Sequence, residues 1–470
     1  MGNLSGVPGQ LHYWLQLSEG NPSTDPVILW LNGGPGASGI IGMLTELGQL
    51  QTMPAPGHCP GTATGDGTAT PTLYQNPFAW TKVANLFTIE QPKGVGFSYC
   101  TGSGPCVNTD ESTAQDTYEA LVAFFAAFPE YAKNDFFITG ESYAGVYVPM
   151  IVDQIDTQGG LPNFKGAAIG NGCWGSDCFY GVTESEIDFH TFRGQAMMSP
   201  TLAAQIETAC DGEWLNVTAA EGTCGGMFSQ GACPKLLREM CTQVGNDEFN
   251  VYNMYDTCFP SNEASSPHRS SLAAVRAKLR ESRPVEVRSV ADSLRSHPAL
   301  HAPGATAPLR PATSSSGSFG QLNDYSCGGE TEMSKWLDDK SVQEALHVKA
   351  NGGGMRYHQT CGDLRPLYAK LIPRYKFLIY SGNVDACVPT WGSEQWTRDL
   401  GYSIDKDWHP WTSDSASPGS SSNVLAGYSI TYATNGFTFA TVRGAGHEVP
   451  RYKPDFALTM VKKFVKGDPL

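Results

Sequence analysis

The chain has 470 residues, 40% of them hydrophobic and 16% charged, which is enough apolar material for a sizeable core and excludes wholesale disorder. Its formal net charge of -15 argues against a nucleic-acid partner, because an acidic surface repels the phosphate backbone. No apolar run is long enough to cross a bilayer, so no membrane span is expected.

In chain order, the first clear element is Val27 to Leu31. This continuous apolar run breaks into Asn32-Gly33-Gly34-Pro35-Gly36, the pattern of a strand buried on both faces that ends in a glycine-rich turn. Runs of the same kind recur at Asn85 to Ile89, Phe136 to Thr139, Ala167 to Ile169, Lys376 to Tyr380 and Phe437 to Val442. Helix-period stretches lie between them, notably Ser112 to Phe128 and Pro454 to Val465. The alternation predicts an α/β protein with a central, mostly parallel sheet flanked by helices. Its core is split into a first part, 1–172, and a second part, 322–470. Between them, 173–260 is rich in cysteine and poor in strand pattern, and is expected to be a disulfide-pinned helical insertion capping the C-terminal edge of the sheet. The stretch 261–321 is rich in Ser, Ala, Pro and Arg and reads as a disordered linker. It is either a site of processing into two disulfide-linked chains or a solvated loop with no role.

Thirteen cysteines, several in loop-like contexts (Cys100, Cys106, Cys173, Cys178, Cys224, Cys233), favour disulfides and an oxidising compartment: the secretory pathway, a lysosome or vacuole, or the extracellular space. No CxxC pair occurs, so a zinc site is not expected. Asn3-Leu4-Ser5 and Asn216-Val217-Thr218 are glycosylation sequons. The N-terminus lacks the layout of a signal peptide, which, set beside the cysteines, leads to the expectation that it is incomplete.

The chemistry centres on Gly140-Glu141-Ser142-Tyr143-Ala144-Gly145, which follows one predicted strand and precedes a helix. Strand, tight turn and helix with a serine at the apex make a nucleophile elbow, although Ala144 replaces the second glycine of GxSxG. A serine hydroxyl needs a histidine to accept its proton and a carboxylate to orient that histidine. Asp385, in Tyr380-Ser381-Gly382-Asn383-Val384-Asp385, and His447, in Val442-Arg443-Gly444-Ala445-Gly446-His447, each follow a predicted strand, in the order Ser, Asp, His. Singly, each is as well read as a turn residue; three strand-end placements in that order are hard to reach by accident. Two rival patterns fall away. Gly34 to Gly39 satisfies GxGxxG but carries a proline in the turn and has no acidic strand end about 20 residues on. His447-Glu448 opens like HExxH, yet Arg451 stands at the second histidine.

Four longer motifs, Trp30 to Gly36, Gly94-Val95-Gly96-Phe97-Ser98-Tyr99, Gly140 to Gly145 and Gly444-Ala445-Gly446-His447-Glu448-Val449-Pro450, together resemble the serine carboxypeptidase family, with cathepsin A-like and plant members nearest in character. The resemblance implies an α/β-hydrolase fold and hydrolysis of C-terminal residues through an acyl-enzyme at acidic pH. It implies a triad of Ser142, Asp385 and His447, an oxyanion hole from the N–H groups of Gly34 and Tyr143, and a substrate-carboxylate site of Asn32, Gly33, Glu46 and Glu141. Neither a metal nor an organic cofactor is implied. The partners are peptides or proteins with a free C-terminus, and a homodimer is compatible with the family. An acyltransferase of the same fold and a protective scaffold for partner hydrolases remain the alternatives.

Departures from the family pattern carry their own expectations. Ala37 replaces the usual cysteine, which leaves Cys361 a candidate free thiol unless Cys59 takes the partner's place. Cys258 and Cys327 match a family bridge across the Arg-rich stretch. Asn383 replaces a common aspartate with little expected effect. Glu448, beside His447, is expected to line the leaving-residue pocket and admit polar or basic side chains.

Overall fold

The computed structural model describes residues 9–53, 72–101, 104–212, 214, 231–245, 249–255, 285–287, 330–348, 354–413 and 423–470. The linker expected at 261–321 lies outside these residues except at 285–287, as do both sequons and Cys59, Cys224, Cys258 and Cys327.

Nine strands form the main sheet: β1 (Tyr13–Gln16), β2 (Val27–Leu31), β3 (Asn85–Ile89), β4 (Phe136–Glu141), β5 (Phe164–Gly170), β6 (Lys376–Gly382), β7 (Ile404–Ser413), β8 (Val424–Tyr432) and β9 (Thr438–Val442). Their order is β7-β8-β9-β6-β5-β4-β2-β3-β1. From β9 to β3 every pairing is parallel, while β7, β8 and β1 join antiparallel at the two edges. All five residues of β2 are buried. Val27, Leu29 and Leu31 enter the core on one face, and Ile28 and Trp30 the core on the other. Two buried faces explain why this strand reads as an unbroken apolar run rather than an alternation.

Helix α1 (Asp110–Ala127) opens on a capping box in which Thr109 and Ser112 satisfy each other's backbone N–H. It packs beside α2 (Ala144–Gln158) on the first face. On the opposite face, the C-terminal helix Pro454–Lys466 lays Phe456, Met460 and Phe464 against Ile28, Phe137 and Leu378.

Between β5 and β6 the chain leaves the sheet. Its described part there holds α3 (Glu184–Gly194), α4 (Pro200–Cys210) and α5 (Ala232–Val244), and a disulfide from Cys210 to Cys233 ties the end of α4 to the start of α5. The insertion touches the C-terminal ends of the strands: Gln195 donates to the Asn383 carbonyl, Met254 N to Val384 O, and Ala386 N to Val251 O. The sheet interior was readable from the apolar runs, but its antiparallel edges were not. β7 carries Asp405, Lys406 and Asp407 and exposes most of its length, so hydropathy gives it the profile of a loop.

Candidate active site

Ser142 and Tyr143 form the corner between β4 and α2. Ser142 has φ of 61°, a left-handed conformation that costs a non-glycine residue about 1–3 kcal/mol. The corner is held by Ser142 N donating to Gly170 O at 3.1 Å and Cys173 N donating to Ser142 O at 3.0 Å. Its steric demand falls on Gly140 and Gly145: a Cβ on Gly140 would lie 2.6 Å from the Ala144 Cβ, and one on Gly145 2.1 Å from Cys173 O. Gly140 thus makes room for Ala144, so the departure from GxSxG leaves the elbow intact.

The glycine-rich loop after β2 presses against this corner. A Cβ on Gly33 would meet Tyr143 N at 2.3 Å and Ser142 Cβ at 2.6 Å, so only glycine brings the loop carrying Gly34 this close. Tyrosines brace both arms. The Tyr147 hydroxyl accepts from Gly36 N at 3.2 Å, and its ring packs edge-on to Tyr143 and Tyr357. Tyr143 and Tyr357 both donate their hydroxyls to Asp110 Oδ1, at 2.8 and 2.7 Å. The other oxygen of Asp110 accepts from the backbone of Thr360 and Cys361.

Asp385 and His447 meet on the loops after β6 and β9. His447 Nδ1 and Asp385 Oδ2 are 2.7 Å apart, and both residues are 1% exposed. Asp385 also accepts from Asn171 Nδ2, Cys387 N and Val388 N. With a carboxylate that is already hydrogen-bonded on its other side, Nδ1 is the protonated nitrogen and Nε2 the acceptor. Nε2 has no hydrogen-bond partner among the described residues. Burial by itself lowers the His447 pKa, but the charge and hydrogen bond of Asp385, with help from Glu448, outweigh it and raise the value above normal. The ring sits 5.1 Å from that of Tyr252, whose carbonyl accepts from His447 N. Asn383 accepts from Gly444 N through its side chain, so the residue in place of aspartate stitches the two loops together.

A third cluster adjoins the elbow. Asn32 Oδ1 accepts from Trp30 Nε1 and Gly42 N, which orients its amide so that Nδ2 donates to Glu46 Oε1 at 3.0 Å and Glu141 Oε1 at 2.9 Å. Glu46 ends a π-helical turn, Gly42–Glu46, an irregular geometry frequent at functional sites. Burial, then the charge of Glu448, push the Glu46 carboxyl up to about 8. Burial, then Glu46 and Glu448, raise Glu141 well above the carboxylate range. Each glutamate keeps one buried oxygen, Oε2, without a partner among the described residues. Glu46, Glu141 and Glu448 place carboxylate oxygens within 4.8 Å of one another, a spacing suited to a cation. The Asn32 amide hydrogens and Arg451 already direct positive charge into the cluster, however, and protons on the glutamates turn it into a donor set for an anion.

Glu448 differs from expectation in one respect. It is not an open carboxylate: its Oε2 accepts from Arg451 Nη1 at 2.7 Å, and both residues are 2% exposed. Among the cysteines, Cys100 pairs with Cys106 and Cys173 with Cys178, while Cys361 is a free thiol whose pKa burial pushes up.

Sequence reasoning missed Asn171, Asp110, Tyr252 and Arg451. Asn171 was within reach, as the polar residue closing the apolar run of β5; Asp110 and Tyr252 act on partners distant in the chain, and Arg451, though only three residues from Glu448, has no local signature of burial.

A family model described as serine carboxypeptidase matches residues 6–467. Serine carboxypeptidase-like 20 of Arabidopsis thaliana is 32% identical over 97% of this chain and 87% of its own length. The lysosomal protective protein of Mus musculus is 29% identical over 97% and 88%. Among solved structures, the prohormone-processing carboxypeptidase Kex1Δp of Saccharomyces cerevisiae shares the fold, with a TM-score of 0.60 at 17% identity over 98% of this chain and 88% of that one. With a family model spanning nearly its whole length and an α/β-hydrolase sheet beneath it, the chain belongs to the serine carboxypeptidase family.

Proposed function

We propose that this enzyme removes C-terminal residues from peptides and proteins through a serine acyl-enzyme, with Ser142, His447 and Asp385 as its triad. Ser142 Oγ attacks the carbonyl of the last peptide bond while His447 Nε2 takes its proton. The Tyr143 and Gly34 N–H groups receive the negative charge that develops on the carbonyl oxygen, donors of a kind worth about 2.7–4 kcal/mol each. The C–N bond then breaks, and His447 passes the proton to the leaving amine. Water, deprotonated by the same imidazole, releases the acyl group and regenerates the serine.

The observation that carries the carboxypeptidase reading is Asn32 bridging two buried, proton-retaining glutamates beside the elbow. A terminal carboxylate brought there meets the Asn32 amide, the Gly33 N–H and the carboxyl protons of Glu46 and Glu141. Such a site works only while those protons remain, so peptide cleavage favours the acid side. His447 sets the opposite limb, because its imidazole must be neutral to act as a base. With the imidazole raised above its ordinary 6.5 and the Glu46 carboxyl at about 8, the window between these two titrations lies near neutral, above the acidic optimum expected from the sequence. The disulfides fit an oxidising compartment of the secretory pathway.

Fluorophosphonate labelling, followed by release of amino acids from blocked dipeptides, tests the reading. The enzyme is expected to take the label and release the C-terminal residue, and Ser142→Ala to do neither. Labelling without release would instead favour the acyltransferase of the same fold.

A further inference from the structure

The cluster beside the elbow holds one charge that recognition of a carboxylate does not use. Glu448 follows His447 directly and reaches within 4.8 Å of both Glu46 and Glu141. Under the carboxypeptidase reading, on which this inference rests, His447 protonates the nitrogen of the leaving residue, and Asn32, Glu46 and Glu141 hold its carboxylate. The leaving residue then spans the gap between them, and Glu448 borders that gap. Its charge acts on His447 as well as on the two glutamates.

An unpaired carboxylate at that position would attract a C-terminal lysine or arginine. Instead, Arg451 sits one helical turn on, in Val449–Tyr452, with its guanidinium on Glu448. Both side chains are 3% exposed, so solvent screens neither the pair nor a third charge brought up to it. The charge of Arg451 extends to Glu46 too. A basic leaving residue would therefore find Glu448 satisfied and a like charge beside it.

We propose that Arg451 is a specificity-determining residue, which masks Glu448 and so biases the leaving-residue pocket against basic C-terminal residues and toward uncharged ones. Specificity here comes as much from the repulsive element as from any attraction.

The test uses blocked dipeptides that share a penultimate residue and end in Leu, Lys or Glu, with kcat/KM measured for each at one pH. Wild type is expected to prefer Leu to Lys. Arg451→Gln, which removes the positive charge from Glu448, should raise the Lys-to-Leu ratio by about tenfold or more, and Glu448→Gln, which removes the negative charge beside the guanidinium, should raise the Glu-to-Leu ratio similarly. Arg451→Lys should stay near wild type. A purely structural pair would not shift selectivity toward the charge opposite to the one each variant leaves behind, so either single variant that still releases Leu decides the matter. Ratios within about twofold of wild type in the active variants, or a wild type that already prefers Lys, would overturn the proposal. So would two inactive single variants alongside an active Arg451→Gln/Glu448→Gln double variant, since the pair would then be only structural. A wild type that releases no residue at all strikes the carboxypeptidase reading and takes this inference with it.

Discussion

Glu46 and Glu141 present a chemical paradox at the scale of single residues, because under the proposed function two acidic side chains receive another carboxylate. Burial resolves it. Asn32 donates to one oxygen of each glutamate, and the proton each retains makes the remaining oxygen a donor. With Glu46 raised to about 8, peptide cleavage should decline as pH rises through that value. An ester or C-terminal amide, which brings no carboxylate, should decline less. In Glu46→Gln the amide cannot lose its proton, so the difference between the two substrate types on the alkaline side should shrink, with peptide kcat/KM lower than wild type on the acid side of that titration. Paired pH profiles of kcat/KM check this, and identical alkaline limbs in the wild type would refute it. Asp385 shows the same reliance on neighbours, since only one of the four hydrogen bonds it accepts comes from His447.

At the scale of elements, the site depends on how α1, α2 and the loop after β2 are tied together. Asp110, the first residue of α1, takes the hydroxyls of Tyr143 and Tyr357, and Tyr147 takes Gly36 N, so both arms of the proposed oxyanion hole end on one aromatic cluster. Asp110→Asn keeps the shape but turns an N–H toward the backbone donors of Thr360 and Cys361. It should lower kcat by about tenfold or more, with KM changed little, because the oxyanion donors matter most in the transition state. Affinity for a C-terminal peptide aldehyde, which mimics the tetrahedral state, should fall in parallel with kcat/KM; an unchanged aldehyde affinity would point to a structural role alone. None of this was legible in the sequence, where Asp110 is an acidic residue just ahead of the helix-period stretch that begins at Ser112. Its meaning comes from Tyr357 and Thr360, about 250 positions away. The elbow and the strand interiors were legible because their constraints are local: apolar residues for two buried faces, then small residues for a strained turn. Asn32 and Glu46 were legible only through family resemblance, since a glutamate in a turn has no local signature of burial.

For the whole molecule, the buried carboxyls couple stability to pH. Unfolded, Glu46 titrates near 4.5; folded, near 8. Between those values the folded chain holds a proton that the unfolded chain has released, so stability falls as pH rises across the window and is fully present below 4.5. Glu141 is displaced in the same direction. The raised His447 adds to the trend, because a protonated imidazole beside Asp385 is also favoured by folding and is lost at higher pH. For Glu46 alone the ceiling is on the order of 4–5 kcal/mol, because each pH interval of one between the unfolded and folded titrations is worth about 1.4 kcal/mol. Thermal unfolding of the substrate-free enzyme should therefore occur several degrees higher at about pH 5 than at about pH 8.5. Glu46→Gln should flatten that slope, because its amide carries no titrating proton. Calorimetric scans of both proteins across this range decide it: an unfolding temperature that rises toward the alkaline end, or the same slope in Glu46→Gln, would mean that the glutamates are ionised in the resting enzyme and that the carboxylate site needs another source of protons.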